Sequence, residues 1–315
     1  TVTSVKVGAA VTISESGIEA SGIGITCANI NGAQIGGRRN IIINGAMNVA
    51  QRGTSSTTTA YATVDRIYTA TSSVDEAPTY EQVDVSSGTT PYASGFRKAF
   101  KVTNGNQTGG AGTGDRVEIM MRLESQDIAN SGWNYTSSSS FITLSFWIKS
   151  SVAQNFYVKI QTQDGTQQNY PLETGSLTAA TWTKITKTIP GNSNLQFDTN
   201  VDEGLRISLY GFLGTDNTGS VSLNAWSAYS SSVRTPDQTS TWYTTNDATL
   251  EITGLQLEVG SQATPFEHRS YGEELTLCSR YYQKIDGTTA NTVFGVGNVD
   301  GSTQGQILVT LGTPL

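Results

Sequence analysis

Residues 250–282 read LEITGLQLEVGSQATPFEHRSYGEELTLCSRYY, and this stretch decides the fold because a strand, a strand break and a helix start follow one another in it. Apolar and polar residues alternate up to Ile252, and after Gly254 the alternation resumes out of phase at Leu255. Successive side chains of a strand point to opposite faces, so a slip at a glycine predicts a β-bulge. Pro265 then ends the strand.

The following residues predict a short helix. Ser270 and Glu273 have the spacing of a helix capping box. Glu273 and Glu274 favour the positive N-terminal end of a helix, and Arg280 favours its negative C-terminal end. We therefore expect the strand-bearing domain to close near Tyr271 and a further unit to begin with this helix.

The sequence predicts three regions: a β-rich shaft or oligomerisation segment over 1–37, a main domain over 38–271, and a short helix leading into an incomplete C-terminal β-rich region over 272–315. In 1–37, apolar residues are separated by glycines and small residues, and such short strands cannot enclose a core alone. They would either wrap with other copies into an intertwined shaft, which we favour, or form a meander packed on the main domain. The sequence has no coiled-coil heptads, so assembly would use β-structure.

The composition favours strands and turns over long helices. The 315 residues include 33 glycines, only 14% are charged, and the formal net charge is −7. No block of basic residues concentrates positive charge, which argues against a nucleic-acid partner. No apolar run is long enough to cross a bilayer, so we expect no membrane insertion. Because the chain starts at Thr1 without a methionine and stops at Leu315 after a strand-like run, we expect it to be part of a longer protein.

A series of short strand candidates without helices between them predicts an all-β, two-sheet sandwich for the main domain. In 141–149, FITLSFWIK, every second residue is apolar, so one face should meet the core: Ile142, Leu144, Phe146 and Ile148. The Asn44-Gly45 dipeptide favours a tight turn at the start of the domain. The other strand candidates are 66–69, 79–85, 96–103, 116–123, 155–161, 167–172, 182–189, 205–212, 221–226 and 250–259.

Five aromatic residues are candidates for binding a glycan: Trp133, Tyr135, Trp147, Trp242 and Tyr243. Trp147 lies on the polar face of its strand, and the other four lie in predicted loops. A sugar ring offers an apolar C–H face for stacking and a rim of hydroxyl groups for hydrogen bonds. Packing under a loop or against a neighbouring subunit remains open for each of the five, and it is the more common role of such residues.

His268 is the only histidine, and it lies with Glu267 and Arg269 between the last strand and the predicted helix. No cysteine or second histidine lies near it in the sequence to form a zinc site, and no serine is marked as a nucleophile. We assign Gly254, Glu267, His268 and Arg269 to a structural junction that pins the sandwich against the helix.

The sequence predicts no catalytic residue. A polysaccharide depolymerase would need two carboxyl groups roughly 5 to 10 Å apart. The available carboxyl groups are those of Asp65, Asp115, Glu118, Glu124 and Asp127. Several of them lie beside arginines in the sequence, which is typical of ion pairs and strand ends. We therefore expect a protein that is not an enzyme, with depolymerase activity as a less favoured alternative.

The sequence also predicts no cofactor and no metal site. The oxygen-rich triplets Asp216-Asn217-Thr218 and Asp237-Gln238-Thr239 leave a structural calcium ion open, but their spacing is not specific. Cys27 and Cys278 are far apart, and isolated thiols of this kind usually act as small buried apolar residues. A disulfide between them is the less favoured alternative.

Four stretches together resemble a known family: RRNIIINGAMNVAQRGTS at 38–55, the strand start Val64-Asp65-Arg66, FITLSFWIKSS at 141–151 and ITGLQLEVGSQATPFEHRSYGEELTLCSRYYQ at 252–283. Over 38–283 the chain resembles the jelly-roll, carbohydrate-binding-module-like domain of bacteriophage tail-fibre and other virion fibre proteins. Residues 1–37 are similar to fibre-shaft segments. The motif residues look mainly architectural: Asn44, Gly45, Gln51, Arg52, Asp65, Arg66, Glu258, Pro265, Phe266, Glu267, His268 and Arg269.

The resemblance implies a homotrimeric virion protein, in a tail fibre or alternatively a capsid fibre, with other phage virion proteins as partners. It also implies that the sandwich takes part in host-surface recognition by binding a polysaccharide or another glycan without cleaving it. The alternative is a structural virion protein, such as a capsid fibre or a tail connector, in which the sandwich serves as a spacer.

Overall fold

The computed structural model describes residues 38–284 and six short strands outside that range. Those strands form antiparallel hairpins: β1 (Val11–Ser14) with β2 (Gly17–Ala20), β3 (Asn29–Ile30) with β4 (Ala33–Gln34), and β17 (Gly297–Val299) with β18 (Gly305–Ile307). The wrapping of 1–37 with other copies stays a prediction, as does the boundary between 271 and 272. Cys27 lies outside the described residues.

Two six-stranded antiparallel sheets form the main domain. Sheet I has the order β13 (Thr183–Pro190), β10 (Phe141–Ser150), β16 (Thr249–Val259), β8 (Lys98–Thr103), β7 (Thr79–Asp84) and β5 (Ser55–Ser56). Sheet II has the order β15 (Ser227–Ala228), β12 (Gln168–Ser176), β11 (Asn155–Thr162), β14 (Glu203–Leu213), β9 (Arg116–Glu124) and β6 (Ile67–Ser72). The predicted jelly-roll β-sandwich is confirmed.

The core lies between the two sheets and follows the predicted alternation. The predicted apolar face of β10 is buried: Ile142, Leu144, Phe146 and Ile148. It belongs to one cluster with apolar residues of β11, β14 and β9 in sheet II, such as Val158, Ile207 and Ile119. The alternate residues of β10 therefore lie on the outer face of sheet I, the face that points away from sheet II.

The predicted bulge lies in β16, as the phase slip at Gly254 indicates. Ser145 of β10 pairs with Gln256 and Trp147 pairs with Thr253, so two residues of β16 oppose one residue of β10. Gly254 has φ +65°, and a Cβ on it would lie 2.6 Å from the Phe96 ring. Glycine is therefore required twice at this position, by the backbone conformation and by the ring.

The first residues of the domain pair with its last strand. The Ile41 amide donates to the Leu257 carbonyl over 2.9 Å, and the Leu255 amide donates to the Gly45 carbonyl over 2.9 Å. The Asn40 side chain donates to the Leu255 carbonyl over 3.0 Å. The opening and closing motifs of the sequence therefore form one structural unit next to the bulge.

Four helices complete the described structure: α1 (Thr90–Ala93), α2 (Ser125–Ala129), α3 (Thr241–Thr244) and α4 (Tyr271–Ser279). Helix α4 is the predicted one, and the Ser270 side chain accepts a hydrogen bond from the Glu273 amide over 3.3 Å. Its Cys278 is buried and packs with Ile43 and Val49 of the opening motif. No helix in the described part of the chain is both long and apolar enough to cross a bilayer.

One strand prediction is wrong. Residues 221–226 are irregular, and only Ser227–Ala228 of β15 follow as a strand. The Asn224 amide donates to the Pro171 carbonyl, and the Trp226 indole donates to the Pro190 carbonyl, so this segment is held by single hydrogen bonds rather than by a ladder. Its polar and apolar residues alternate as in a strand, but single hydrogen bonds to Pro171 of β12 and Pro190 of β13 replace sheet pairing.

Candidate functional site

A cleft of about 530 Å³ lies on the outer face of sheet I. Trp147 lies in its lining because the bulge leaves the alternation of β10 intact, so this residue points opposite to Phe146 and Ile148. Its side chain is only partly buried. Of the five predicted glycan candidates, Trp147 is the one that lines this cleft.

Aromatic rings form one wall of the cleft. The Phe96 and Phe266 rings meet edge to face with centroids 4.8 Å apart. The His268 ring contacts both, with centroids 5.1 Å from Phe96 and 4.9 Å from Phe266. The wall therefore consists of three aromatic rings, and the contacts among them hold each ring in position.

The rim of the cleft is polar. Ser94 contributes an exposed hydroxyl and Lys184 an exposed amine, whereas Ser145 is 4% exposed and the Thr264 hydroxyl is engaged by Glu258 and Arg39. The His268 Nε2 atom lies 2.9 Å from the Ser94 carbonyl oxygen. A carbonyl oxygen only accepts hydrogen bonds, so Nε2 carries a proton and donates. An apolar wall with hydroxyl and amine groups at the rim can bind the apolar face and the hydroxyl edge of a sugar ring.

The segment that carries Phe266 and His268 is fixed by buried polar groups of β16. Glu258 accepts hydrogen bonds from the Thr264 amide over 2.8 Å and from the Thr264 hydroxyl over 2.6 Å. The Glu267 amide donates to the Gln256 side chain over 2.8 Å. The cleft wall is consequently a preformed part of the sandwich.

Three predicted glycan candidates are buried, and the prediction is corrected for them. Trp133 is 3% exposed, and Trp242 and Tyr243 are each 0% exposed, so none can stack on a ligand in this conformation. Trp242 fits into a notch over Gly211, where a Cβ would lie 2.7 Å from the indole. Tyr243 stacks on Phe212 with centroids 4.5 Å apart and donates to Asp115 over 3.0 Å.

The fourth loop candidate, Tyr135, is partly buried and does not line the cleft. Its ring packs edge to face on Phe197 at 5.0 Å, next to Trp133. The loop at 133–140 therefore turns its aromatic residues onto the core. The sequence left open that the candidates pack under a loop instead of binding a glycan. Packing is what the structure shows for four of them: Trp133, Tyr135, Trp242 and Tyr243.

The predicted junction residues form contacts in two different places: Glu267 and Arg269 bind the opening motif and α4, and His268 binds the Ser94 segment. Glu267 accepts from the Asn40 amide over 2.5 Å, and Arg269 donates to the Ile42 carbonyl over 3.2 Å and lies 3.4 Å from Glu274 of α4. His268 contacts Ser94 rather than α4, so the prediction that it pins the sandwich to the helix is corrected. It instead forms the cleft wall.

Further contacts connect the closing motif to the opening one. The Arg52 guanidinium lies 3.6 Å from the Tyr282 ring centroid, and the Arg66 guanidinium lies 3.5 Å from that of Tyr281. Gln51 donates to the Tyr282 carbonyl over 2.9 Å. These motif residues serve the docking of α4 and lie outside the cleft lining.

Sequence reasoning missed Lys184, Phe96 and Phe266 as cleft residues. The sequence did contain a pattern that places Lys184. In TWTKITKTI over 181–189, Ile185 and Ile189 mark the core face of the strand, and Lys184 lies on the opposite face. Phe96 carried no such signal, because it lies before β8 and reaches the cleft only through the bulge at Gly254.

Of the carboxyl groups considered for catalysis, Glu124 and Asp127 lie near each other, and burial together with the charge of Glu124 raises the pKa of Asp127. They lie outside the lining of the cleft at Trp147. Asp65 accepts hydrogen bonds from Gln51, Asp115 accepts from Tyr243, and Glu124 pairs with Arg280 at 2.8 Å. Neither Asp nor Glu occurs among the described residues that line the cleft. In the calcium candidates, Asp216 accepts from Thr113 over 3.3 Å and Asp237 accepts from Thr218 over 2.6 Å. No three His, Cys, Asp or Glu side chains of the described residues converge as a metal site would require.

A second cleft of about 350 Å³ lies between Arg38, Arg39 and α2. No aromatic side chain of the described residues lines it. It lacks a surface for sugar stacking, so the cleft at Trp147 is the better candidate site.

No protein-family model matches the chain, and no curated protein matches its sequence. Similar solved structures include the enzymatically active domain of tailspike protein 4 of bacteriophage CBA120, with 8% identity, a TM-score of 0.36, and coverage of 70% of this chain and 21% of that one. They also include the N-terminal cellulose-binding domain of Cellulomonas fimi β-1,4-glucanase C, with 12% identity, a TM-score of 0.32, and coverage of 69% of this chain and 99% of that one. A third is TmCBM61 in complex with β-1,4-galactotriose, with 8% identity, a TM-score of 0.31, and coverage of 71% of this chain and all (100%) of that one. These scores and identities are too low to carry a functional argument.

Proposed function

We propose that the chain is a non-catalytic, saccharide-binding protein of a bacteriophage virion, in which the β-sandwich takes part in host-surface recognition. One observation carries the binding role. Trp147 lies partly exposed beside an aromatic wall and a rim that carries the Ser94 hydroxyl and the Lys184 amine, in a preformed cleft of about 530 Å³. That combination matches the two kinds of surface that a sugar ring presents.

In this role the protein binds the saccharide without cleaving it. Hydrolysis of a glycosidic bond requires a pair of carboxyl groups on either side of it. The described lining residues supply none, and Asp65, Asp115 and Glu124 are engaged elsewhere. Incubation of purified protein with host surface polysaccharide should deplete free protein while leaving the polymer size unchanged. A fall in polymer size would contradict the non-catalytic role.

The virion setting and a homotrimer are supported by the resemblance of 38–283 to phage fibre domains and of 1–37 to fibre shafts. Three sandwiches on one rigid body would raise the avidity for a surface polymer by about 10² to 10⁴ over a single site if the spacing permits. Light scattering of the purified chain should give three times the monomer mass, and a monomer would contradict the shaft. Labelling of the protein in imaged particles should place it on a tail fibre.

A structural role is the second candidate, and the docking of α4 favours it. The motif residues Arg52, Arg66, Tyr281 and Tyr282 all connect the helix to the opening motif. In that case the sandwich is a spacer in a capsid fibre or tail connector. Absence of glycan binding, together with imaging that shows the cleft covered by another virion protein, would select this role.

A further inference from the structure

The positive charges on the outer face of sheet I are mostly neutralised within the sheet. Two lysines of this face each pair with a carboxylate of a neighbouring strand: Lys101 of β8 with Glu81 at 2.6 Å, and Lys149 of β10 with Glu251 at 2.8 Å. The outer face therefore carries little net charge over these strands. A cationic side chain without a carboxylate partner would give the face a local positive charge.

Lys184 is such a cation. It faces Trp147 across the ladder between β13 and β10 and belongs to the same cleft lining. Its side chain is exposed, and it has no ion pair or hydrogen bond with any residue that the structure describes. The other ionisable group in the described lining is also a base, His268.

The acidic residues nearest in sequence to the cleft wall are engaged behind it. Glu258 accepts hydrogen bonds from Thr264. Glu267 accepts from the Asn40 amide over 2.5 Å and lies 3.6 Å from Arg269. Neither carboxylate belongs to the cleft lining, and neither forms an ion pair with Lys184 among the described residues.

We propose that the cleft binds an acidic saccharide, with a sugar ring stacked on Trp147 and its carboxylate bound by the Lys184 ammonium group. This inference rests on the proposed function and specifies the ligand class. The two side chains are cross-strand partners, so a ring on the indole brings a substituent at its edge within reach of the lysine. The net charge of −7 gives the whole chain no general attraction for anions, so selectivity must come from this contact.

The test compares matched pairs of trisaccharides that differ only in the carboxylate: β-1,4-linked glucuronate against cellotriose, and β-1,4-linked galacturonate against β-1,4-galactotriose. Calorimetric titration of the purified chain should give about five- to tenfold tighter binding of the acidic member of at least one pair at low salt. The advantage should shrink as ionic strength rises. Lys184→Gln should bring the affinities for the acidic and the neutral member of that pair to the same value.

Lys187→Gln is the matched control, because it removes the same charge from the same strand outside the cleft lining. Equal affinity for both members of every pair, or equal effects of the two lysine substitutions, would overturn the inference and leave glycan binding in place. Failure of every trisaccharide to bind would overturn the inference together with the proposed function.

Discussion

A Cβ atom on Gly45 would lie 2.0 Å from the carbonyl oxygen of Leu255, so the first turn of the domain and the bulge of its last strand meet at backbone contact. The same two residues are joined by a hydrogen bond of 2.9 Å from the Leu255 amide to the Gly45 carbonyl. A backbone contact of this kind cannot be relieved by rotation of a side chain.

Gly45→Ala should therefore lower the free energy of unfolding by about 3 kcal/mol or more, because the turn or the bulge has to move. Gly272→Ala is the matched control: no atom lies within 4 Å of its Cβ position. Gly272 belongs to α4, where alanine is the better helix former, so this change should be neutral or slightly stabilising. Urea unfolding measures both, and equal stability of the two variants would contradict the close approach.

Glu274→Ala should weaken the docking of α4 on the opening motif. Glu274 is 5% exposed, accepts a hydrogen bond from the Asn44 amide and lies 3.4 Å from Arg269. Arg269 keeps Glu267 at 3.6 Å, but the buried Asn44 amide loses its acceptor, so the free energy of unfolding should fall by about 1 to 3 kcal/mol. Hydrogen exchange of the α4 amides should accelerate. The exposed neighbour Glu273 provides the control, and comparable acceleration in Glu273→Ala would argue against a specific buried contact.

The buried Lys159 predicts a pH-dependent effect on stability. It is 1% exposed, and burial lowers the pKa of Lys159 to about 7. Glu118 opposes this shift, while Arg234, Arg206 and Arg116 reinforce it. In the unfolded chain the pKa is about 10.4, so between these values the unfolded state binds more protons and the stability contributed by this group rises with pH.

Lys159→Met removes that dependence with little change of shape. The stability gained by the substitution should be largest below pH 7 and should decline by up to about 4 kcal/mol on approaching pH 10, where the lysine is neutral in both states. Unfolding free energies of both proteins across this range provide the measurement. A difference that stays constant with pH would show that burial does not suppress the charge of Lys159.

His268→Ala separates the two roles considered for this residue. Because His268 contacts Ser94, Phe96 and Phe266, its removal should loosen the cleft wall and weaken saccharide binding. Exchange of the α4 amides should stay unchanged, since the contacts to α4 come from Arg269. Faster α4 exchange with unaltered binding would restore the junction role.

Local patterns were enough to predict most of the strands, the bulge and the capped helix, because each depends on neighbours in the sequence, but they gave a false strand at 221–226. The alternation in β10 and its slip at Gly254 indicated which side chains face the core, and Ser270 indicated where α4 begins. The site required contacts over long sequence separations. Only the register between β10 and β13 brings Lys184 to Trp147, and only the bulge makes room for Phe96.

The buried loop aromatics show why composition alone misplaced part of the site. Whether an aromatic residue in a loop faces solvent or the core depends on a notch elsewhere in the fold. For Trp242 that notch is Gly211, and for Trp133 the partner is Phe197. Neither partner lies near its tryptophan in the sequence, so the loop sequences alone do not show that these residues face the core, whereas the alternation of β10 did place Trp147 on the polar face.

The most direct test of the central claim is the affinity of the Trp147→Ala variant for saccharides bound by the unaltered chain, with Trp182→Ala as the control. Trp182 is partly buried and, like Trp147, packs against the cluster of Ala46, Val85, Phe96 and Ala99, but it does not line the cleft. Loss of stacking should weaken binding by about tenfold or more in Trp147→Ala and leave Trp182→Ala close to the unaltered chain. Undiminished binding by a folded Trp147→Ala variant would contradict the assignment of this cleft as the saccharide site.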